Sequence, residues 1–196
     1  MIYRILSFAE WGETEWQTAE KRTAPIDAAL GRSLGRAPQT AQREHMAAWW
    51  LTQELLEQEL GHPLPPHAFA VGEHGKPSLL NGETAFNMSH TSGYAMCAVH
   101  PTAVGVDIQA IRPVTPQLIR RVCTPSECAY IGGDPAQFAA VFTAKEAYVK
   151  YQGIGLSAGL QNVVVATETG LLPTVNGCTL FPISGEEYRA AIVFEE

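Results

Sequence analysis

The order in which hydrophobic periodicities change along this chain limits its fold more than any other feature. Residues 2–8 form a short β-favouring run bounded by charge, and a largely buried first strand is expected there. A polar segment follows. Residues 38–60 then carry Met46, Trp49, Trp50, Leu55, Leu56 and Leu60 close to the i, i+3/i+4 pattern of one long helix, stopped by Gly61 and Pro63. Beyond it the period shortens: 69–71, 85–88, 94–99 and 104–108 are apolar runs separated by Gly, Pro, Asn and Ser, the pattern of a meander of short strands. Short helices are expected over 115–121 and 125–130. A stronger one is expected over 134–151, with Asp134 as its cap, Pro135 in its first turn and Gly153 past its end. Strands at 163–166, 179–183 and 188–194 close the chain. Strand, long helix and strands thus occur twice in the same order. This predicts an α+β protein of two similar halves, 1–103 and 104–196, with a seam near 101–105 and a ligand cleft between them.

Composition sets the class of partner. With 196 residues, 46% hydrophobic and 17% charged, the chain can bury a core and does not have the makeup of a disordered segment. Thirteen basic against twenty acidic side chains give a net charge of −7, which disfavours nucleic acid and anionic membrane as partners. An anionic ligand must then be held by local groups. Two stretches lack acids: 28–43, with Arg32, Arg36 and Arg43, and 108–126, with Arg112, Arg120 and Arg121. Each is a candidate anion-facing surface or an ordinary solvated one. Cys97, Cys123, Cys128 and Cys178 have neither Cys-x-x-Cys spacing nor histidines at zinc spacing, and read as free thiols of a reducing compartment. No signal-peptide core and no apolar run near the ~20 residues of a membrane helix is present, so a cytoplasmic protein is expected.

The strand Val104-Gly105-Val106-Asp107-Ile108-Gln109 places an acid among apolar neighbours, with Asp107 and Gln109 on one face and Val106 and Ile108 on the other. A buried carboxylate is expensive unless it is hydrogen-bonded, paired or bound to a metal. In Phe142-Thr143-Ala144-Lys145-Glu146-Ala147-Tyr148-Val149-Lys150, Glu146 and Lys150 share a helix face. Alone they would read as a surface ion pair worth ~0.2–0.5 kcal/mol. Together with Asp107 they read as a site: two carboxylates from different elements for a hard cation such as Mg²⁺, and a lysine one turn away for phosphate. The loop Gly72-Glu73-His74-Gly75-Lys76-Pro77-Ser78 and the hydroxyl-rich Phe86-Asn87-Met88-Ser89-His90-Thr91-Ser92-Gly93 add turns that suit an anion or satisfy themselves.

In combination these segments resemble the 4′-phosphopantetheinyl transferases of the surfactin-synthetase-activating type. The resemblance rests on Gly75-Lys76-Pro77, Phe86-Asn87-Met88-Ser89-His90, Gly105-Val106-Asp107-Ile108, Lys145-Glu146-Ala147 with Lys150, and Gly153-Ile154-Gly155-Leu156-Ser157, and spans about 72–157. It implies the pseudo-twofold α+β fold of that family, with the active site in the cleft. It further implies transfer of the phosphopantetheine arm of coenzyme A to a serine of an acyl or peptidyl carrier protein, with Mg²⁺ or Mn²⁺, by a monomer. By the resemblance, Asp107 and Glu146 are metal ligands, Glu146 is the base, and Lys150 contacts the pyrophosphate. Ser89 and His90 contact phosphate, Lys76 and Pro77 border the nucleotide, and Arg43 faces the 3′-phosphate. Many members carry an acid where this chain has Gln109, whose oxygen can ligate a cation or orient its water but cannot act as a base. The chain is also short for the family. A degenerate module that binds coenzyme A or carrier without catalysis is the alternative. The stretch with Arg112, Arg120 and Arg121 is the expected docking face for an acidic carrier helix.

Overall fold

The structure, a computed structural model, describes every residue except 34, 36, 73 and 155–158. Arg36, Glu73 and the Gly155-Leu156-Ser157 part of the last motif therefore lie outside the described residues. Tertiary contacts divide the chain into two compact units, Met1–Pro101 and Thr102–Glu196. All four cysteines are free thiols, and no helix of the described residues is long and apolar enough to cross a membrane.

The N-terminal unit runs β1 (Ile2–Ser7), α1 (Glu13–Ala29), α2 (Gln39–Leu60), a 3₁₀ turn (Pro66–Ala68), β2 (Phe69–Val71), β3 (Pro77–Leu79), β4 (Ala85–Thr91) and β5 (Tyr94–His100). Three strands pair antiparallel in the order β1-β5-β4, while β2 and β3 form a separate ribbon. α2 lies on the three-stranded sheet and buries Trp49, Leu51, Leu55 and Leu56 against Phe86, Cys97 and Val99. Trp49 meets Phe69 edge-on at 5.2 Å between ring centroids. The helix ends where Gly61 takes φ 75° and its N–H reaches the Glu57 carbonyl at 2.9 Å.

Two expectations fail in this unit. β1 is an edge strand and only half-buried, because nothing in the described sheet pairs with its outer side. The polar segment before α2 is itself helical. α1 buries Trp16, Ala19, Thr23 and Ile26, a stripe with helical spacing of which two residues are small or polar, so it carries little hydrophobic signal. Its Arg22 pairs with Glu54 and Glu57 of α2, and His45 of α2 meets Asp27 at 2.9 Å. Tertiary partners rather than propensity hold this helix in place.

The C-terminal unit runs β6 (Val104–Ala110), α3 (Pro116–Val122), α4 (Pro125–Ile131), α5 (Pro135–Gln152), a 3₁₀ turn (Leu160–Asn162), β7 (Ala166–Thr167), β8 (Gly170–Leu171), β9 (Thr174–Val175), β10 (Cys178–Ser184) and β11 (Tyr188–Phe194). The main sheet has the antiparallel order β6-β11-β10-β9, and α5 lies across β6 and β11. Asp134 caps its helix as expected, accepting from Ala136 N–H at 2.7 Å, and the two short helices are capped too: Thr115 accepts from Leu118 N–H and Thr124 from Glu127 N–H.

The strand expected over 163–166 is not formed; only Ala166–Thr167 pairs, with Gly170–Leu171. Its backbone is occupied by side chains instead. Lys145, fully buried in α5, donates to the Leu160 carbonyl at 3.1 Å and to the Val163 carbonyl. Its ammonium also pairs at 2.7 Å with Glu127 of α4, likewise fully buried. Glu127 in turn accepts from Val165 N–H at 2.9 Å and from Thr124 N–H at 2.8 Å. A buried pair is tolerable when its remaining donors and acceptors are satisfied, as here, and breaking such a pair generally costs about 3–5 kcal/mol.

Gly105 fixes how closely α5 approaches β6. A Cβ there would stand 2.0 Å from the Ala147 carbonyl oxygen and 2.3 Å from the Tyr151 amide nitrogen, both backbone atoms. Gly105→Ala is therefore expected to push helix and strand apart and cost ~3 kcal/mol, the upper end for overpacking, measured as a lower urea midpoint for the C-terminal unit.

Candidate functional site

The close α5–β6 contact brings four predicted residues together. Asp107 and Gln109 share the face of β6 that α5 covers, opposite Ala191 and Arg189 of β11. Asp107 is buried; its Oδ1 accepts from the Lys150 ammonium at 2.7 Å and its Oδ2 from the Gln109 amide at 3.2 Å. Glu146, also buried, sits one turn before Lys150 on α5. Lys150 thus spans from helix to strand, and the bland surface pair with Glu146 is not what forms. Burial raises the Glu146 carboxyl above the ordinary glutamate range, the Asp107 charge raises it further, and Lys150 opposes both.

Among the described residues no group of three or more His, Cys, Asp and Glu stands ready for a metal. The donor set of this site is smaller, two carboxylates with an amide beside them. It suits a hard divalent cation that keeps several waters. The elevated Glu146 carboxyl is the physical sign of fit, because a bound cation would relieve the like-charge and desolvation cost that raises it.

The remaining predicted residues belong to the N-terminal unit. His90 is exposed on β4, with Nδ1 3.3 Å from a Glu44 carboxylate oxygen, and the preceding Ser89 is buried. Arg43, next to Glu44 on α2, lies 5.0 Å over the Trp16 ring and, with Glu44, Ser92 and Gly93, lines an opening of about 410 Å³. Lys76 and Pro77 follow the turn at Gly75, which takes φ 81°, and Pro77 opens β3. Burial lowers the Lys76 ammonium to about 8. Arg32, from the first acid-free stretch, donates to the Gly75 carbonyl at 3.1 Å. In the C-terminal unit Arg112 is exposed, and Arg120 and Arg121 are exposed in the last turn of α3.

Sequence reasoning missed Glu44, Arg189 and the Glu127–Lys145 pair. Glu44 was legible as the neighbour of Arg43. Arg189 is placed beside Gln109 only by the β6–β11 register, for which the sequence carries no signal. Lys145 and Glu127 are eighteen positions apart, and nothing in the local pattern links them.

The match with a family model falls on the unit that holds this cluster. Residues 103–194 match the profile of the 4′-phosphopantetheinyl transferase superfamily. This stretch is similar to that superfamily. A 4′-phosphopantetheinyl transferase of Bacillus subtilis is 32% identical over 104 residues, 50% of this chain and 46% of the relative. The 4′-phosphopantetheinyl transferase Sfp of Bacillus subtilis strain 168 is 28% identical over 103 residues, 50% of this chain and 46% of the relative. The 4′-phosphopantetheinyl transferase HetI of Nostoc is 28% identical over 167 residues, 78% of this chain and 70% of the relative. The chain thus spans about half the length of the two Bacillus relatives.

A carboxyl whose pKa is raised by folding contributes stability below its unfolded pKa and loses it as pH rises through the folded value. Ionised Glu146 therefore opposes folding at neutral pH. Glu146→Gln, measured in chelator by urea unfolding, is expected to be more stable than the wild type at pH 7. The difference should disappear as the pH is lowered into and below the ordinary glutamate range.

Proposed function

We propose that this protein transfers the 4′-phosphopantetheine arm of coenzyme A to a serine of an apo acyl or peptidyl carrier protein and releases adenosine 3′,5′-bisphosphate. The observation that carries this reading is the cluster of Asp107, Glu146 and Lys150 in the unit that matches the superfamily.

Asp107 and Glu146 would hold Mg²⁺ or Mn²⁺, with Gln109 on the cation or on one of its waters. The cation would offset negative charge on the phosphate oxygens. Lys150, now on Asp107, would place its ammonium against the same oxygens, where charge grows as the phosphoanhydride bond breaks. Glu146 is assigned the role of base, because a carboxylate beside the reacting phosphate can accept the serine proton. The serine oxygen bonds to the β-phosphorus, its proton passes to Glu146, and the bond to the bisphosphate oxygen breaks. In the N-terminal unit, Ser89, His90, Lys76 with Pro77, and Arg43 are assigned to the nucleotide and its phosphates. For His90 this means exchanging its Glu44 contact for phosphate.

Incubated with an apo carrier, coenzyme A and Mg²⁺, the protein should add the mass of the arm to the carrier, and Glu146→Gln should reduce the rate by at least about 10²-fold. A carrier that stays unmodified while coenzyme A binds would instead indicate the non-catalytic module. Gln109→Glu should lower the Mg²⁺ concentration needed for half-maximal rate, and an unchanged Mg²⁺ dependence would remove Gln109 from the metal site.

The exposed cations of α3 are assigned to the carrier. Charge reversal at Arg120 and Arg121 together should raise the carrier KM about tenfold with coenzyme A affinity unchanged; equal loss of both would count against a docking role.

A further inference from the structure

The opening of about 410 Å³ in the N-terminal unit is lined from the end of β1, from α1, from the first turns of α2 and from the turn between β4 and β5. Phe8, Trp11 and Trp16 make much of its wall aromatic, and among the described residues its charged members are Arg43 and Glu44. Consecutive residues of a helix do not face each other, and these two part. The Arg43 guanidinium lies over the Trp16 ring, while the Glu44 carboxylate reaches His90 on β4. The two charges cancel, so the wall itself has no net positive charge to offer an anion.

The Glu44–His90 contact decides how this wall treats a phosphate. An ionised carboxylate has no proton to give, so His90 Nδ1 carries the hydrogen and donates it to Glu44 Oε2 at 3.3 Å. A phosphate can take that donor only by displacing the carboxylate, and it then stands beside a partly buried acid. A phosphate monoester carries about −1.5 to −2 charges at pH 7. Arg43 attracts it and Glu44 repels it, and a like charge placed against one ligand is a route to specificity. A ribose hydroxyl meets no such repulsion, because a carboxylate accepts its hydrogen bond. Dinucleotide-binding proteins use the same distinction: an acid takes the ribose hydroxyl, and an arginine accommodates the phosphorylated form. Here the arginine is engaged with a tryptophan ring, and the acid is the group that holds His90.

We propose that Glu44 is a selectivity residue for the donor: it offsets the attraction of Arg43 and His90 for a 3′-phosphate, so that a donor whose ribose lacks that phosphate is used as well as coenzyme A. The inference rests on the transferase reading above, which assigns Arg43 and His90 to the nucleotide and its phosphates. The transfer step itself is unaltered. The serine oxygen bonds to the same β-phosphorus, its proton goes to the same base, and the leaving group is adenosine 5′-phosphate in place of the bisphosphate.

The experiment measures arm transfer to an apo carrier with coenzyme A and with 3′-dephospho-coenzyme A as donors, for the wild type, Glu44→Gln and Glu44→Lys. Glutamine keeps an acceptor for His90 and removes only the charge, and lysine reverses it. The readout is the ratio of kcat/KM for the two donors within each protein, in which any loss of folded enzyme cancels. The wild type is expected to use the two donors within about fivefold of each other. Glu44→Gln should shift the ratio toward coenzyme A by about fivefold or more, and Glu44→Lys should shift it further. A wild type that prefers coenzyme A by a wider margin, or a ratio that does not move in Glu44→Gln, would overturn the selectivity role and leave the transferase reading standing. A wild type that loads the carrier from neither donor would overturn the transferase reading, and this inference with it.

Discussion

The site depends on a contact in which one partner has no side chain. At Gly105 the strand β6 comes so close to α5 that even a methyl group would overlap the helix backbone at Ala147 and Tyr151. The consequences lie within one helical turn. Ala147 follows Glu146, Tyr151 follows Lys150, and Asp107 is the next residue of the same strand face after Gly105. The distance from which Lys150 reaches Asp107, and the proximity that lets Asp107 act on Glu146, are therefore set by the missing Cβ. A larger residue would separate the two carboxylates while leaving every charged side chain in place.

Two neighbouring residues of α5 treat burial of charge in opposite ways. Lys145 meets Glu127 and two carbonyls, and Glu127 meets two backbone N–H groups as well, so charge and hydrogen bonding are both matched inside the core. Burial and the Asp107 charge both work against ionised Glu146, and Lys150, hydrogen-bonded to Asp107, opposes them. The first arrangement fastens α4, α5 and the segment leading to β7 together. The second leaves an electrostatic deficit where a ligand can supply positive charge. Such a deficit lowers the stability of the empty protein, a common property of sites organised for binding or chemistry.

The C-terminal unit was largely legible in the sequence, and the N-terminal unit less so. Asp134, Pro135 and Gly153 mark both ends of α5 because caps and stops act through local hydrogen bonding and backbone φ. Alternation alone put Asp107 and Gln109 on one face, and their hydrogen bond follows from it. α1 escaped notice because its buried stripe includes Ala19 and Thr23 and its helix is held by ion pairs to α2. The strand expected at 163–166 looked convincing because Val163, Val164, Val165 and Ala166 are apolar, but its hydrogen-bonding groups are claimed by Lys145 and Glu127. Competition of that kind joins residues far apart in sequence, and no window of local pattern contains it.

Gln109 illustrates how one substitution redistributes charge without dismantling a site. Asp107, Glu146 and Lys150 sum to one negative charge, and a third carboxylate at position 109 would make two. It would also lose the Nε2 donor that now holds Asp107 Oδ2 at 3.2 Å, leaving two acids side by side on one strand face. The amide therefore orients Asp107 and limits repulsion in the empty protein, at the expense of attraction for a cation. Arg189 on the adjoining strand would sit opposite that acid; opposite the amide it stays with backbone carbonyls. The same residue that holds Asp107 in place thus also keeps Arg189 facing an amide rather than an acid on the adjoining strand.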